Sequence, residues 1–207
     1  MQKVNEILDI LKSTHPDARA ELNYTNPYEL LVAVILSAQC TDKRVNQVTP
    51  VLFSKYPTVY ELSQADIVDV ESIIKSCGFY HNKARAIVSA SKKIVSDYDG
   101  KVPETREQLM SLDGVGRKTA NVVYAVAFGG DAIAVDTHVY RVSRRLGLSD
   151  GDTPGKVEKD LCEILPQSEW SHAHHLLIFH GRYICKAQRP LCEQCRLNGI
   201  CQYRGRL

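Results

Sequence analysis

Apolar residues recur at intervals of three and four along most of this chain, which is the spacing that gives a helix one apolar face. The sequence shows neither the sustained alternation of apolar and polar residues typical of a half-buried strand nor paired hairpin dipeptides. The pattern therefore predicts an all-α protein. The helical segments lie at residues 1–13, 26–39, 41–56, 66–79, 81–100, 104–111, 115–128, 136–146, 154–165 and 169–184.

Local signals mark where some of these helices begin, bend or end. Asn26, Pro27 and Glu29 form a capping-box arrangement at the start of the second segment. The apolar run that follows is nearly continuous, so we expect this helix to be central and buried. Pro50 falls inside the third segment, where it either starts a new turn or kinks the helix. Gly100 is a suitable C-terminal cap for the fifth segment.

The composition is that of an ordinary globular protein, with 44% hydrophobic and 24% charged residues in a chain of 207. The net charge is only +2, but the stretch 181–207 is locally basic, which suits phosphate contacts or simply a solvated terminus. Its cations are Arg182, Lys186, Arg189, Arg196, Arg204 and Arg206, against Glu193. No apolar run reaches membrane-spanning length and no signal peptide opens the chain, so we expect a cytoplasmic protein whose cysteines are thiols or metal ligands.

A glycine loop and the helix after it, LDGVGRKTANVVYAVAF at residues 112–128, superficially resemble a nucleotide-binding P-loop. That motif needs a glycine directly before the lysine, and here Arg117 precedes Lys118. The segment before the loop has helical spacing, so the unit is helix, tight turn, helix. Glycines let a backbone approach a ligand closely, and the start of the next helix presents N–H groups to an anion. The loop therefore either binds a phosphate of a nucleic-acid backbone or is a plain turn between packed helices.

Four of the seven cysteines lie close together near the C-terminus, with gaps of six, two and five residues. These four are Cys185, Cys192, Cys195 and Cys201. Thiolates suit zinc or an iron–sulfur cluster; a structural zinc site more often shows two close pairs, but the spacing alone leaves zinc open. The other cysteines, Cys40, Cys77 and Cys162, stand in apolar helical contexts, and we interpret them as buried structural thiols.

Three motifs follow one another along the chain: LDGVGRKTANVV, AIAVDTHVYRVSRRLGL and the cysteine quartet, with LLVAVILSAQCTD before them. Together they resemble the endonuclease III family of bifunctional DNA glycosylases and abasic-site lyases, over about residues 20–203. The resemblance implies a [4Fe–4S] cluster, and not zinc, on the quartet. It also implies two helical lobes with a DNA-binding cleft between them. These are a six-helix barrel of residues 20–130, with a helix-hairpin-helix motif at about 108–128, and a cluster lobe of residues 1–19 and 131–207.

By the same resemblance, Lys118 is the nucleophile and Asp136 is the catalytic carboxylate. A lysine amine can attack the sugar C1′ of a damaged nucleotide and form a Schiff base, after which elimination cuts the strand. The amine must be neutral, and the positive helix end and the adjacent Arg117 both disfavour its protonated form. Asp136 would activate the amine or a water and stabilise the oxocarbenium-like sugar. Taken without the resemblance, Lys118 is an ordinary phosphate contact and Asp136 is a helix N-cap.

The damaged base must leave the stack to be reached, so side chains have to fill the gap. The resemblance assigns Gln39 to this void and Phe79 to a wedge position that is usually leucine. The plainer interpretations are a polar helix end for Gln39 and a core aromatic for Phe79. Asp113 is a second departure, since relatives usually have proline there, and an acid weakens a phosphate-binding loop. The other expected DNA contacts are Asp42 and His138, which would line the site, and Gly114, Gly116, Arg117, Thr119, Lys186 and Arg189.

Three other functions compete with this interpretation. An adenine glycosylase shares the fold and the cluster but lacks the lysine, and a non-catalytic helix-hairpin-helix module needs neither Lys118 nor Asp136. A ferredoxin-like electron carrier is disfavoured by the hairpin and by the basic C-terminal stretch. The resemblance thus implies base excision repair of oxidised or damaged pyrimidines in double-stranded DNA, with abasic-site lyase activity. We expect a monomer in the bacterial cytoplasm, associated with the nucleoid.

Overall fold

The computed structural model describes residues 2–203, which form α-helices and two short 3-10 helices, with no β-strand among them. The all-α prediction is confirmed. No helix in this part of the chain is both long and apolar enough to cross a membrane. The helices are α1 (Gln2–Thr14), α2 (Pro27–Ser37), α3 (Asp42–Lys55), α4 (Val59–Ser63), α5 (Ile67–Ile74), α6 (Tyr80–Asp97), α7 (Arg106–Met110), α8 (Arg117–Phe128), α9 (Thr137–Leu146), α10 (Pro154–Ile164) and α11 (Trp170–Tyr183), with the 3-10 helices at Gln167–Glu169 and Cys192–Gln194.

The chain divides into two compact units, each with its own hydrophobic core. The continuous unit is formed by residues 21–130 and contains α2 to α8. The split unit is formed, within the described residues, by 2–20 and 131–203, and contains α1 and α9 to α11. The chain therefore crosses from the split unit to the continuous unit and back.

The core of the continuous unit is built around α2, in which every residue from Leu30 to Leu36 is buried. Burying a side chain of leucine or valine size contributes about 1.5–3 kcal/mol, so this helix is a large part of the unit's stability. Asn26 caps it by accepting a hydrogen bond from the Glu29 N–H at 3.0 Å. The Glu29 carboxylate, however, accepts from the N–H of Thr25, one residue before the cap. The capping box is thus only half formed.

Two local expectations are refined by the structure. Helix α3 continues past Pro50, which is exposed. Val48 and Leu52 beside it are buried and anchor the helix in the core. Helix α6 ends at Asp97, before Gly100. Its end is closed by the Gly100 N–H, which donates to the Ile94 carbonyl at 3.0 Å.

The core of the split unit joins the two ends of the chain. Helix α1 contributes Ile7, Leu8 and Leu11, all buried, although it lies far in sequence from its partners. The remaining core side chains come mainly from α9, α10 and α11 and include Val139, Val142, Leu146, Val157, Leu161, Ala173, Leu176 and Leu177. This packing fixes the start of α9, where the candidate site residues Asp136 and His138 lie.

Candidate DNA-binding and catalytic site

The turn between α7 and α8 is held against α6 and cannot carry a side chain at its tightest point. Gly114 has a φ of 77°, and a Cβ placed there would lie 2.8 Å from the Cβ of Ala86 on α6. Leu112 and Val115 on either side of it are buried. The turn is therefore a rigid hairpin and not merely a connection between helices.

Helix α8 begins at this hairpin with an open N-terminus. Gly116 is its N-cap residue and has no side chain to accept a hydrogen bond there. A Cβ added at Gly116 would meet no atom within 4 Å, and Arg117 and Lys118 are exposed, while Thr119 is half-buried. Because the first N–H groups of a helix attract anions, the start of α8 is suited to a phosphate.

Asp113, the acid that departs from the family pattern, has a structural partner. The Ser89 hydroxyl on α6 donates a hydrogen bond to its carboxylate. Asp113 directly precedes Gly114, so this bond is a second attachment of the hairpin to α6. The acid is therefore part of the scaffold that holds the turn.

The two residues expected to fill the DNA gap share an unusual backbone. Gln39 and Phe79 both have positive φ values, 51° and 58°, in the left-handed region that residues other than glycine rarely adopt. Both are exposed, and Phe79 at 62% is far from a core aromatic. A Cβ on Gly78 would lie 3.4 Å from the Gln39 carbonyl oxygen, so the two turns touch. Backbone strain at exposed residues is characteristic of functional sites. Asp42, near the first turn, is half-buried at the start of α3.

In the split unit, Asp136 is the N-cap of α9, as its position in the sequence suggests. Its Oδ1 accepts hydrogen bonds from the N–H groups of His138 and Val139, both at 2.8 Å. Its other carboxylate oxygen, Oδ2, accepts no hydrogen bond from residues 2–203. The half-buried carboxylate is therefore oriented by one oxygen and leaves the other available.

His138 is packed within the split unit. Its Nδ1 lies 3.2 Å from Nη2 of Arg141, and a Cβ on Gly181 of α11 would lie 2.9 Å from its own Cβ. The same Arg141 donates from Nε to the Cys185 carbonyl at 3.0 Å. His138 thus belongs to the contact between α9 and α11, as a structural histidine would.

All four cysteines of the quartet line one largely apolar pocket of the split unit. The other residues of this pocket include Leu146, His180, Ile184, Pro190, Leu191 and Tyr203. Within residues 2–203, no three His, Cys, Asp or Glu side chains converge closely enough to ligate a single metal ion. Cysteines that bind a four-iron cluster each reach a different iron, so they stand farther apart than the ligands of one ion. Four thiol donors around one pocket fit an iron–sulfur cluster.

The loop between Cys185 and Cys192 is anchored by a residue that sequence analysis did not single out. Arg145 donates from Nη1 to the Lys186 carbonyl at 2.8 Å and from Nη2 to the Ala187 carbonyl at 3.2 Å. Its Nη1 also lies 3.5 Å from the Cys185 sulfur. Held by its carbonyls, the loop leaves the side chains of Lys186 and Arg189 exposed.

The rest of the basic stretch is less uniform than its composition indicates. Arg182 is half-buried, and Arg196 donates to the Ser13 hydroxyl at 2.9 Å. Arg204 and Arg206 lie outside the described residues. Phosphate contacts from this stretch are thus expected mainly from the loop after Cys185.

The isolated cysteines are also not alike. Cys77 is buried, at 1% exposure, whereas Cys40 and Cys162 are only half-buried. The interpretation as three buried thiols is therefore wrong for two of them.

Residues 32–167 match the family model of the HhH-GPD superfamily of base excision DNA repair proteins. Endonuclease III of Synechocystis sp. is 50% identical over 201 residues, which are 97% of this chain and 92% of that protein. The enzyme of Bacillus subtilis is 50% identical over 203 residues, 98% of this chain and 93% of its own length. The chain belongs to the endonuclease III family. It is therefore an enzyme, a DNA glycosylase of base excision repair.

A solved structure of a trapped endonuclease III–DNA covalent intermediate agrees with this assignment. It superimposes with a TM-score of 0.95 at 50% identity and covers 99% of this chain and 97% of that chain. A non-covalent endonuclease III–DNA complex gives the same TM-score and identity. The resemblance deduced from the sequence motifs is confirmed, and a non-catalytic module and an electron carrier are set aside.

Proposed function

We propose that this glycosylase removes oxidised or ring-damaged pyrimidines from double-stranded DNA, with Lys118 as nucleophile and Asp136 as its carboxylate partner. The observation that carries the proposal is the position of Lys118. Its exposed side chain lies in the first turn of a helix whose N-cap residue is a glycine, beside a hairpin that packs tightly at Gly114. A relative at 50% identity has been caught as a covalent intermediate with DNA, which supports a nucleophile of this kind.

The chemistry uses the amine twice. The neutral Nζ of Lys118 attacks C1′, the bond between C1′ and the base breaks, and the base leaves with a proton. Opening of the sugar converts the new N–C1′ bond to an imine. The imine acidifies the C2′ proton, and its loss expels the 3′ oxygen and cuts the strand. Because Lys118 is exposed in the free protein, its desolvation must come from the bound nucleotide.

Asp136 can cap α9 and take part in the reaction at the same time. Its Oδ1 is used by the two N–H groups of the helix start, so the direction of the carboxylate is set before DNA arrives. Oδ2 is then the atom that accepts a proton from the amine, or from a water, and stabilises positive charge on the sugar. A group held in place before the reaction loses little entropy in it.

The remaining candidate residues divide into gap-filling and phosphate-binding groups. Gln39 and Phe79 enter the duplex where the nucleotide has left it, and stacking of an exposed ring on a base is worth about 1–3 kcal/mol. Asp42 lines the base pocket, and His138 lines the site next to Asp136. Phosphates bind at the α8 start and at the loop after Cys185, through Gly114, Gly116, Arg117, Thr119, Lys186 and Arg189.

We further propose that Cys185, Cys192, Cys195 and Cys201 hold a [4Fe–4S] cluster and that the enzyme is a monomer. The cluster, when bound, cross-links the C-terminal segment and so fixes the loop that presents Lys186 and Arg189. A brown protein with an iron-to-sulfide ratio near one in elemental analysis supports the cluster, and stoichiometric zinc contradicts it. Light scattering of the purified protein tests the monomer.

Borohydride trapping tests the catalytic assignment. The enzyme is mixed with a duplex carrying one oxidised pyrimidine, and borohydride reduces any imine to a stable protein–DNA adduct. We expect the adduct in the wild type, its loss in Lys118→Ala, and its retention in Lys159→Ala, an exposed lysine of α10. An adduct that persists in Lys118→Ala refutes the assignment.

A panel of duplexes tests the substrate class separately. We expect release of oxidised or ring-opened pyrimidines and incision at abasic sites. Release of adenine opposite oxidised guanine as the main activity would instead support the related adenine glycosylase.

A further inference from the structure

Two cysteines lie in the two turns that carry Gln39 and Phe79. Cys40 directly follows Gln39, and Cys77 comes two residues before Phe79. The two turns touch at Gly78, so their free thiols lie close together, and Cys40 contributes to the raised pKa of Cys77.

A buried lysine lies beside this pair. Lys83 on α6 is only 6% exposed, and its Nζ has no hydrogen-bond partner among residues 2–203. Burial lowers the pKa of Lys83, and the charges of Cys40 and Cys77 oppose that effect, so all three groups interact. An unpaired buried ammonium is unfavourable.

The two thiols are placed for different roles. Cys77 is 1% exposed, and burial, assisted by Cys40, raises its pKa to about 11, so it keeps its proton at neutral pH. Cys40 is half-buried and is the sulfur that a reagent in solution meets first. A partly exposed thiol near a cation, with a second thiol nearby, is the arrangement of redox-sensitive cysteine pairs.

We propose that hydroperoxides oxidise Cys40 and Cys77 to a reversible disulfide, which locks the turns carrying Gln39 and Phe79 and weakens binding to damaged DNA. The Cys40 thiolate attacks one peroxide oxygen, the O–O bond breaks, and Cys40 becomes a sulfenic acid while water or an alcohol leaves. The Cys77 sulfur then attacks the Cys40 sulfur, and the S–O bond breaks with release of water. Two thiols lose two electrons in total, and the peroxide gains them.

The bond constrains both turns. A disulfide joins its sulfurs at about 2.05 Å, so it ties the two turns together covalently. Gln39 and Phe79 occupy a narrow backbone region at positive φ, which leaves them little freedom to adjust. The effect on DNA rests on the gap-filling roles proposed above. Loss of one stacked contact predicts binding weaker by about 5- to 150-fold.

Peptide mapping tests the bond itself. The cluster-containing protein is treated with hydrogen peroxide, its free thiols are alkylated, and it is digested with trypsin without reduction. We expect peptide 20–43 linked to peptide 76–83 with the loss of two hydrogens, and the link should disappear with dithiothreitol. Separate alkylation or separate over-oxidation of Cys40 and Cys77 overturns the proposal, as does a link from either one to another cysteine.

Affinity for a lesion-bearing duplex tests the consequence. Peroxide should weaken binding in the wild type and in Cys162→Ser, whose thiol is also half-buried but lies in the split unit. It should have no such effect on Cys40→Ser or Cys77→Ala, and dithiothreitol should restore the wild type. A linked protein that binds DNA unchanged overturns the regulatory claim. Reduced enzyme without activity on any lesion would instead refute the proposed function, so the two failures are distinguishable.

Discussion

Replacing Gly114 with alanine tests whether the hairpin is a rigid scaffold. The added Cβ would face two separate penalties. At a φ of 77° an alanine costs about 1–2 kcal/mol relative to glycine. The Cβ would also lie 2.8 Å from the Ala86 Cβ, and overpacking of this kind costs about 1–3 kcal/mol. We therefore expect Gly114→Ala to lower the free energy of unfolding of the continuous unit by about 2–5 kcal/mol.

Gly116→Ala is the matched control, two residues away in the same turn. Gly116 has a φ of −86°, which any residue adopts, and nothing lies within 4 Å of its added Cβ. Alanine is a slightly poorer N-cap than glycine, so the expected loss is within about 1 kcal/mol. Urea unfolding of both variants, followed by circular dichroism and by tyrosine fluorescence, measures the difference.

A double variant separates the two penalties. Ala86→Gly removes the atom that the new Cβ would strike, and alone it costs about 1 kcal/mol because glycine is a poor helix former. Combined with Gly114→Ala, it should recover about 1–3 kcal/mol relative to the sum of the single changes. The reasoning is refuted if Gly114→Ala costs no more than Gly116→Ala, or if the two changes are simply additive.

Three further predictions concern Asp136, Phe79 and His175. Asp136→Asn should keep the helix cap, whereas Asp136→Ala should lower the free energy of unfolding by about 1 kcal/mol. Both variants should abolish base release in a single-turnover assay. An active Asp136→Asn would contradict the catalytic role. Phe79→Ala should weaken binding of a lesion duplex by about 5- to 150-fold with unfolding nearly unchanged, whereas Val68→Ala, at a residue with 71% exposure, should change neither. Burial, with His172, lowers the pKa of His175 to about 4 from 6.5. As the pH falls below 6.5, this imidazole therefore binds a proton in the unfolded chain but stays neutral in the folded protein. Between pH 7 and pH 5 this should remove about 2 kcal/mol of stability, a loss absent from His175→Gln in urea unfolding at each pH.

The helices were predictable wherever local chemistry and periodicity agreed. Helix α9 begins after Asp136 because an aspartate there satisfies the first N–H groups, and this is a property of neighbouring residues. The sequence pattern predicted the end of α6 at Gly100, but the helix ends earlier, at Asp97. Gly100 closes the helix by donating from its N–H to the Ile94 carbonyl, and the sequence does not show which carbonyl accepts this bond. The five-residue α4 was missed because it is too short for a helical period to be detected.

The candidate site was less accessible to sequence reasoning wherever its features depend on distant contacts. The positive φ of Gln39 and Phe79 leaves no mark in residue type, since neither is a glycine or an asparagine. The role of Arg145 depends on carbonyl groups some forty residues later in the chain, at Lys186 and Ala187. The closeness of Cys40 and Cys77 likewise depends on the contact between two turns that are remote in sequence.

Locating the covalent bond to DNA tests the central claim most directly. After borohydride reduction, the adduct is digested with nuclease and protease, and mass spectrometry finds the residue that carries the remaining sugar. The account predicts a modified Lys118, in a peptide that trypsin no longer cleaves after that residue. A sugar on any other lysine, or on the N-terminal amine, would contradict it.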